Sequence, residues 1–88
     1  MTRREVTILN TLGLHARPAA RIVKAAALSR ADLWIEKDGQ RVNGKSIMGV
    51  MMLAAEKGST IVLEAEGEGA EKLIAEIVEL IQNKFDED

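Results

Sequence analysis

The dipeptide Asp38-Gly39 constrains the fold of this chain more than any other feature, because it separates two runs of strand-forming residues. Those runs are Leu33 to Lys37 and Gln40 to Asn43. Asp-Gly is a typical two-residue hairpin turn, since glycine tolerates the positive φ that such a turn requires. The two runs are therefore predicted to pair as antiparallel strands.

The remaining elements are predicted from hydrophobic periodicity. Alternating β-branched residues indicate strands, and apolar residues at positions i, i+3, i+4 and i+7 indicate helices. In chain order we predict a strand over 4–9, a helix from about Ala16, the two hairpin strands, a short helix over 47–56 capped by Ser46 and ended by Gly58, a strand over 60–66, and a helix from after Gly69 to near Phe85.

The resulting order, β-α-β-β-α-β-α, predicts an α+β fold. It would be an open-faced β-sandwich, in which a four-stranded antiparallel sheet carries three helices on one face. With 88 residues, the chain is expected to form a single domain over 1–88, too small for a deep cleft. Only the acidic tail Asp86-Glu87-Asp88 is expected to fray.

Composition excludes several classes of site. The chain has no cysteine and one histidine, so it lacks both a disulfide framework and the ligands of a structural zinc site. We expect no metal and no cofactor. Residues 1–20 lack the pattern of a secretory signal, and no segment approaches the roughly 20 apolar residues of a membrane span. A cytoplasmic protein without membrane insertion is therefore expected.

Charge is sorted along the chain, although the net charge is only −2. Residues 1–30 contain six basic residues and one acidic residue, whereas residues 59–88 contain two basic and nine acidic residues. Such a gradient often reflects no more than differently solvated surfaces. Here the basic segment also contains the single histidine, so an acidic partner or a phosphorylated donor is a reasonable expectation.

That histidine, His15, lies in the segment Gly13-Leu14-His15-Ala16-Arg17-Pro18-Ala19. A helix that starts here would place the imidazole beside unpaired backbone N–H groups, where the macrodipole favours an anion such as phosphate. Arg17 adds a permanently charged donor. His15 could be an ordinary surface or capping residue, but imidazole can also accept a phosphoryl group and return it. The second interpretation suits a domain that has no room for a cleft.

The middle helix is apolar nearly all the way round, yet only a large core can bury a helix on every side. In a domain this small one face must stay exposed, which predicts a contact patch containing Met48, Met51 and Met52. The alternative is that these methionines fill gaps in the core.

The segment Gly39-Gln40-Arg41-Val42-Asn43-Gly44-Lys45-Ser46 matches the pattern G-x-x-x-x-G-K-S. A phosphate-binding loop of that type follows a buried strand, whereas this segment begins in a hairpin turn and continues through a strand. Nucleotide binding is therefore not expected. Ser46 is predicted to cap the middle helix, where an added phosphate would also suit the dipole.

At these residues the chain resembles the HPr phosphocarrier family of the bacterial phosphoenolpyruvate-dependent sugar phosphotransferase system. The resemblance rests on the segment Gly13 to Ala19 and on Asn43-Gly44-Lys45-Ser46-Ile47-Met48-Gly49-Val50, and it covers the whole chain in length and element order. It implies a monomeric carrier rather than a stand-alone enzyme.

The resemblance also implies individual roles. His15 would accept a phosphoryl group on Nδ1 from enzyme I and pass it to an EIIA protein, with Ala16 and Arg17 stabilising the phosphate. Ser46 would be phosphorylated by an ATP-dependent HPr kinase/phosphorylase. The residues implied in partner binding are Ala20, Lys24, Ile47, Met48 and Met51.

Two alternatives stay open. The ending Phe85-Asp86-Glu87-Asp88 resembles that of a nitrogen-related paralogue, in which the same histidine chemistry serves regulation. A nucleic-acid-binding module can also have the order β-α-β-β-α-β, but it stacks bases on strand aromatics. Because Trp34 is the one aromatic residue in a predicted strand and the sequence is acidic, no nucleic-acid partner is expected.

Overall fold

The computed structural model describes residues 1–87 and has the predicted α+β architecture. Its elements are β1 (Thr2–Thr7), α1 (Ala16–Ala27), β2 (Asp32–Lys37), β3 (Gln40–Asn43), α2 (Ile47–Met52), β4 (Thr60–Glu66) and α3 (Ala70–Gln82), followed by a short turn at Lys84–Asp86. The predicted order of elements is confirmed.

The four strands form one antiparallel sheet in the order β1-β4-β2-β3. The β2–β3 hairpin turns at Asp38 and Gly39, whose φ values are 50° and 82°. Two consecutive positive φ values match the twist of the paired strands, as the sequence predicts. The G-x-x-x-x-G-K-S match therefore begins in a hairpin turn and runs through β3, so it does not form a phosphate-binding loop.

One face of the sheet and the apolar sides of the helices share a single core. The opposite face of the sheet carries Trp34, whose ring lies 4.9 Å from the guanidinium of Arg41. Arg41 also pairs with Glu64 of β4. The fold is therefore an open-faced sandwich with a charged outer surface. The buried side chains from the sheet are Leu33, Ile35, Ile61, Leu63 and Ala65.

The first strand ends earlier than the sequence predicts, and this brings a polar residue into the core. After Thr7 the chain leaves the β1–β4 ladder, and the Ile8 N–H donates to the Ser59 carbonyl at 2.9 Å. The Gly58 N–H donates back to the Ile8 carbonyl at 2.8 Å. The chain then turns inward at Asn10, which is fully buried.

Helix α2 also ends earlier than predicted, at Met52. The chain turns at Ala54, which has a φ of 49°. This turn directs the buried Ala55 toward the loop before α1, where its carbonyl accepts the Leu14 N–H at 2.9 Å. Gly58 has positive φ, but it lies in the loop before β4 rather than at the end of the helix, where the sequence predicts it. The early end of α2 is therefore required by a tertiary contact.

The prediction that the acidic tail frays is wrong for the part of the tail that the structure describes. Helix α3 is followed by the turn at Lys84–Asp86, whose residues have φ values of 53°, 54° and 58°. Phe85 in this turn is 1% exposed. The chain reverses here and places Glu87 beside His15 at the start of α1. We call residues 84–87 the C-terminal strap; Asp88 lies outside the described residues.

Candidate functional site

His15 is the N-cap residue of α1, as the sequence predicts. Its backbone is extended, and its carbonyl accepts the Ala19 N–H at 3.0 Å. The side chain makes no capping hydrogen bond and is 36% exposed. A helix start leaves the N–H groups of Ala16 and Arg17 without acceptors in the helix, and Pro18 has no N–H. The imidazole therefore lies beside backbone donors that can bind an anion.

Arg17 lies at the same helix start, two residues after His15. It is exposed, and within residues 1–87 its side chain makes no hydrogen bond or ion pair. Arg21, one turn later, donates to the Phe85 carbonyl at 2.8 Å and pairs with Asp86 at 3.3 Å. Contacts with the strap thus partly neutralise the basic residues of α1, whereas the Arg17 guanidinium has no acidic partner within residues 1–87.

The loop before His15 is fixed by a close approach to the segment that follows α2. Gly13 has a φ of 68°, and a Cβ built on it would lie 2.2 Å from the Ala55 carbonyl oxygen. Only glycine fits here without displacing the neighbouring backbone. Because the same carbonyl oxygen accepts the Leu14 N–H, the loop that leads into His15 is held in one position.

The carboxylate of Glu87 completes the surroundings of the imidazole. Its Oε1 lies 2.9 Å from His15 Nε2 and 2.9 Å from Asn10 Nδ2. Asn10 Nδ2 also donates to the Gly13 carbonyl at 2.8 Å. Neither Asn10 nor Glu87 is predicted from the sequence to lie at this site. Glu87 is 72 positions from His15, and no periodic pattern links residues so far apart.

The exposed apolar face predicted for α2 is present. We call Ile47, Met48, Met51 and Met52 the α2 patch; Met48 is 71% exposed and Met52 is 64% exposed. On the other side of the helix, Val50 is fully buried. The helix α1, which packs against α2, carries the exposed residues Ala20 and Lys24. The interpretation of these methionines as core fillers is therefore wrong for Met48, Met51 and Met52.

Ser46 is the N-cap of α2, as predicted, and its Oγ accepts the Gly49 N–H at 3.0 Å. The neighbouring Lys45 Nζ donates to the Ser29 carbonyl, just beyond the end of α1, at 3.2 Å. The start of α2 therefore lies near the end of α1, and the two helices run in opposite directions. The segment after α2 contacts the loop before His15 through the Ala55 carbonyl, so Ser46 lies at the end of α2 that points away from this loop.

Residues 1–87 contain neither a cluster of metal ligands nor a membrane-spanning helix. No group of three or more His, Asp or Glu side chains in this part of the chain is placed to hold a metal ion. Among the same residues, none of the helices has the length and apolar character needed to cross a membrane.

Comparison with known proteins assigns the chain to a family. A family model for the PTS HPr component phosphorylation site matches residues 2–83. The chain belongs to the HPr family. It is 41% identical over 87 residues to the phosphocarrier protein HPr of Neisseria meningitidis serogroup A, a match covering 99% of this chain and 98% of that protein.

Solved HPr structures share the fold. The crystal structure of HPr-C-His from Thermoanaerobacter tengcongensis has a TM-score of 0.96 and 44% sequence identity, covering 100% of this chain and 99% of that one. A crystal structure of an HPr dimer from the same organism has a TM-score of 0.77 and 45% sequence identity. That match covers 97% of this chain and 98% of the other. The family match ends before the C-terminal strap, so the contact between Glu87 and His15 lies outside the matched segment.

Proposed function

We propose that this member of the HPr family is a phosphoryl carrier. His15 accepts a phosphoryl group on Nδ1 from phosphorylated enzyme I, and ultimately from phosphoenolpyruvate, and passes it to an EIIA protein. The observation that carries this proposal is the uncapped imidazole at the start of α1, beside the free N–H groups of Ala16 and Arg17. The helix dipole and these donors favour a phosphoryl group at this position.

Arg17 supplies the positive charge that the phosphoryl group requires. Its guanidinium can donate to two phosphoryl oxygens at once, and charge-assisted hydrogen bonds of this kind are stronger than neutral ones. Within residues 1–87 we identify no further catalytic group at this helix start. Each partner therefore supplies the rest of the reaction site, and the chain acts as a carrier rather than as a stand-alone enzyme.

The partners dock on the α2 patch together with Ala20 and Lys24 of α1. Exposed methionines adapt to differently shaped surfaces, which suits a carrier that must bind a donor and an acceptor in turn. The antiparallel arrangement of α1 and α2 brings the end of α2 to the loop that holds His15. A protein seated on the patch is thus close enough to exchange a phosphoryl group with the ring.

Ser46 is a target for an ATP-dependent HPr kinase/phosphorylase. A phosphate on its Oγ would lie at the start of α2, where the helix dipole favours negative charge. The group would lie at the start of α2, whereas it is the segment after α2 that contacts the loop leading into His15. It would instead place negative charge next to Ile47 and Met48, so regulation acts through partner docking.

We expect the carrier to work in the cytoplasm as a monomer, although one similar structure is a dimer. Size-exclusion chromatography with light scattering tests the oligomeric state. The same His15 chemistry serves both a sugar branch and a nitrogen-type regulatory branch of the phosphotransferase system. Offering the phosphorylated protein to an EIIA of each type distinguishes the two branches.

The decisive experiment is incubation with phosphoenolpyruvate and enzyme I, followed by intact-mass analysis. The wild type should gain one phosphate that is labile in acid and stable in alkali, and His15→Ala should gain none. Ser46→Ala is the matched control and should be labelled like the wild type. Equal labelling of wild type and His15→Ala, or no labelling of the wild type, contradicts the proposal.

The regulatory proposal needs a separate incubation with ATP and HPr kinase/phosphorylase. An acid-stable phosphate should appear on the wild type and on His15→Ala, but not on Ser46→Ala. If the wild type stays unmodified, Ser46 serves as a helix cap and nothing more.

A further inference from the structure

The C-terminal strap, residues 84–87, is fixed at the start of α1 by contacts of its own. Phe85 is buried in the core, and its carbonyl accepts a hydrogen bond from Arg21 Nη1 at 2.8 Å. Asp86 pairs with the same guanidinium at 3.3 Å. These anchors position the next residue, Glu87, whose side chain is 14% exposed. The fold therefore holds this carboxylate in place, and the position does not depend on attraction to the imidazole alone.

The hydrogen-bond partners of Asn10 show which atoms around Glu87 donate hydrogen bonds and which accept them. Turning the Asn10 amide over would place its Oδ1 against two acceptor oxygens, those of Gly13 and Glu87. The amide must therefore present its N–H groups to both, and Glu87 Oε1 accepts. A carboxylate oxygen that accepts from the amide also accepts from the ring. His15 Nε2 then carries the proton, and Nδ1 keeps its lone pair.

We infer that Glu87 is a positioning residue for phosphoryl transfer at His15, because its carboxylate holds the ring proton on Nε2 and leaves the Nδ1 lone pair free to attack phosphorus. The inference rests on the proposed function. A carboxylate that orients a histidine by bonding its second nitrogen is a recurrent arrangement in nucleophile and metal sites. Here the carboxylate comes from beyond the segment that matches the family model.

The phosphoryl transfer requires no proton transfer, because the proton stays on His15 Nε2 throughout. The Nδ1 lone pair forms the new bond to phosphorus, while the bond between phosphorus and the donor breaks and its electron pair returns to the donor. The phosphorylated ring then carries positive charge shared with the protonated Nε2, directly opposite the Glu87 carboxylate. When the group moves on, the bond between Nδ1 and phosphorus breaks and the pair returns to Nδ1. Glu87 thus stabilises the phosphorylated form as well as orienting the free ring.

The first test reads the tautomer of His15 without any phosphoryl donor. In ¹⁵N NMR spectra at alkaline pH, wild-type Nε2 should be protonated and Nδ1 unprotonated. Glu87→Ala should move the two ring resonances toward each other as the second tautomer becomes populated. Glu87→Gln keeps an acceptor oxygen and should retain the wild-type tautomer. The matched control is Glu76→Ala, which removes an exposed carboxylate of α3 and should change neither resonance.

The second test measures phosphoryl transfer from enzyme I. Glu87→Ala should lower kcat roughly 10- to 100-fold, as losses of a histidine-orienting group do, while KM for enzyme I and the melting temperature change little. Ring resonances and kcat that both match the wild type in Glu87→Ala would overturn the inference. If the wild type accepts no phosphoryl group, the proposed function fails, but the tautomer measurement still decides the assignment of Glu87.

Discussion

Helices α1 and α2 both begin after a polar residue with extended backbone, yet the two residues are used in opposite ways. The hydroxyl of Ser46 accepts the Gly49 N–H and so closes the first turn of α2. The imidazole of His15 makes no such bond at the start of α1. One cap side chain bonds the backbone of its own helix, whereas the other does not.

The difference has a structural cause at each helix start. In α1 the strap brings Glu87 to the imidazole, and this contact holds the ring at its Nε2 side. In α2 the neighbouring cation, Lys45, donates to the Ser29 carbonyl instead of facing the cap hydroxyl. Two helix N-termini in one domain can therefore hold their cap side chains in different ways. Ser46 bonds the backbone of its own helix, whereas His15 bonds a carboxylate from the C-terminal strap.

The largest expected effect is that of Phe85→Ala, which removes the anchor of the strap. Truncation of a buried aromatic side chain should cost about 3–5 kcal/mol of unfolding free energy, measured by urea denaturation. Detachment of the strap should also abolish the contact between Glu87 and His15, so the ring resonances should change as they do in Glu87→Ala. With the strap detached, His15 would be an exposed residue with no orienting partner.

The matched control for that variant is Leu28→Ala. Leu28 is 84% exposed, and an exposed substitution of this kind should change stability by no more than about 0.5 kcal/mol. A Phe85→Ala protein as stable as this control would contradict the burial of Phe85. It would also contradict the fixed position of the C-terminal strap.

The next effect concerns the charge at the start of α1. Arg17→Ala removes the guanidinium that we place on the phosphoryl group, and a lost hydrogen bond to a charged group is worth about 1.5–3 kcal/mol. Phosphoryl acceptance from enzyme I should therefore slow roughly 10- to 100-fold, since 1.4 kcal/mol corresponds to a factor of ten. Arg17→Lys keeps the positive charge but loses the planar pair of donors. Its rate of phosphoryl acceptance should therefore lie between those of the wild type and Arg17→Ala.

Arg30→Ala serves as the control for charge, because Arg30 is exposed beyond the far end of α1 and pairs with Glu68. It should accept a phosphoryl group at nearly the wild-type rate. If Arg17→Ala does the same, the positive charge at this helix start has no part in the transfer.

The elements that could be predicted from the sequence are those that depend on neighbours in the chain. The hairpin at Asp38-Gly39 and the cap at Ser46 need contacts only a few residues away, and both are as predicted. The exposed face of α2 could also be predicted, because the domain is too small to bury it. The apolar spacing after His15 predicts a helix from about Ala16, and His15 is the residue that precedes it.

The features that were missed depend on residues distant in the sequence. Helix α2 stops early because the Ala55 carbonyl is needed by Leu14, more than forty positions before it. The tail was expected to fray because its own composition is acidic and polar. Its order comes from Phe85 in the core and from Arg21 on α1, and neither contact has a periodic signature.

A smaller effect is expected at the α2 patch. Met48 is 71% exposed, so Met48→Asp should leave the melting temperature nearly unchanged. A charge at the centre of an apolar interface should weaken the binding of enzyme I by roughly 1–3 kcal/mol, measured by calorimetric titration. Leu28→Asp places the same charge on an exposed apolar residue outside the patch and should bind normally. A large loss of stability in Met48→Asp would instead make Met48 part of the core.

The smallest effect tests the capping role of Ser46 directly. Ser46→Ala removes the acceptor for the Gly49 N–H and should cost about 1 kcal/mol of unfolding free energy, measured by urea denaturation. Ser46→Asp supplies another good cap and should recover most of that loss, while adding a negative charge beside Met48. Both variants lack the hydroxyl, but only Ser46→Asp keeps a capping group. If only Ser46→Ala loses unfolding free energy, the loss is due to the missing cap. Equal stability of Ser46→Ala and wild type would mean that the hydroxyl does not hold α2, and that the two helix starts are more alike than their geometry indicates.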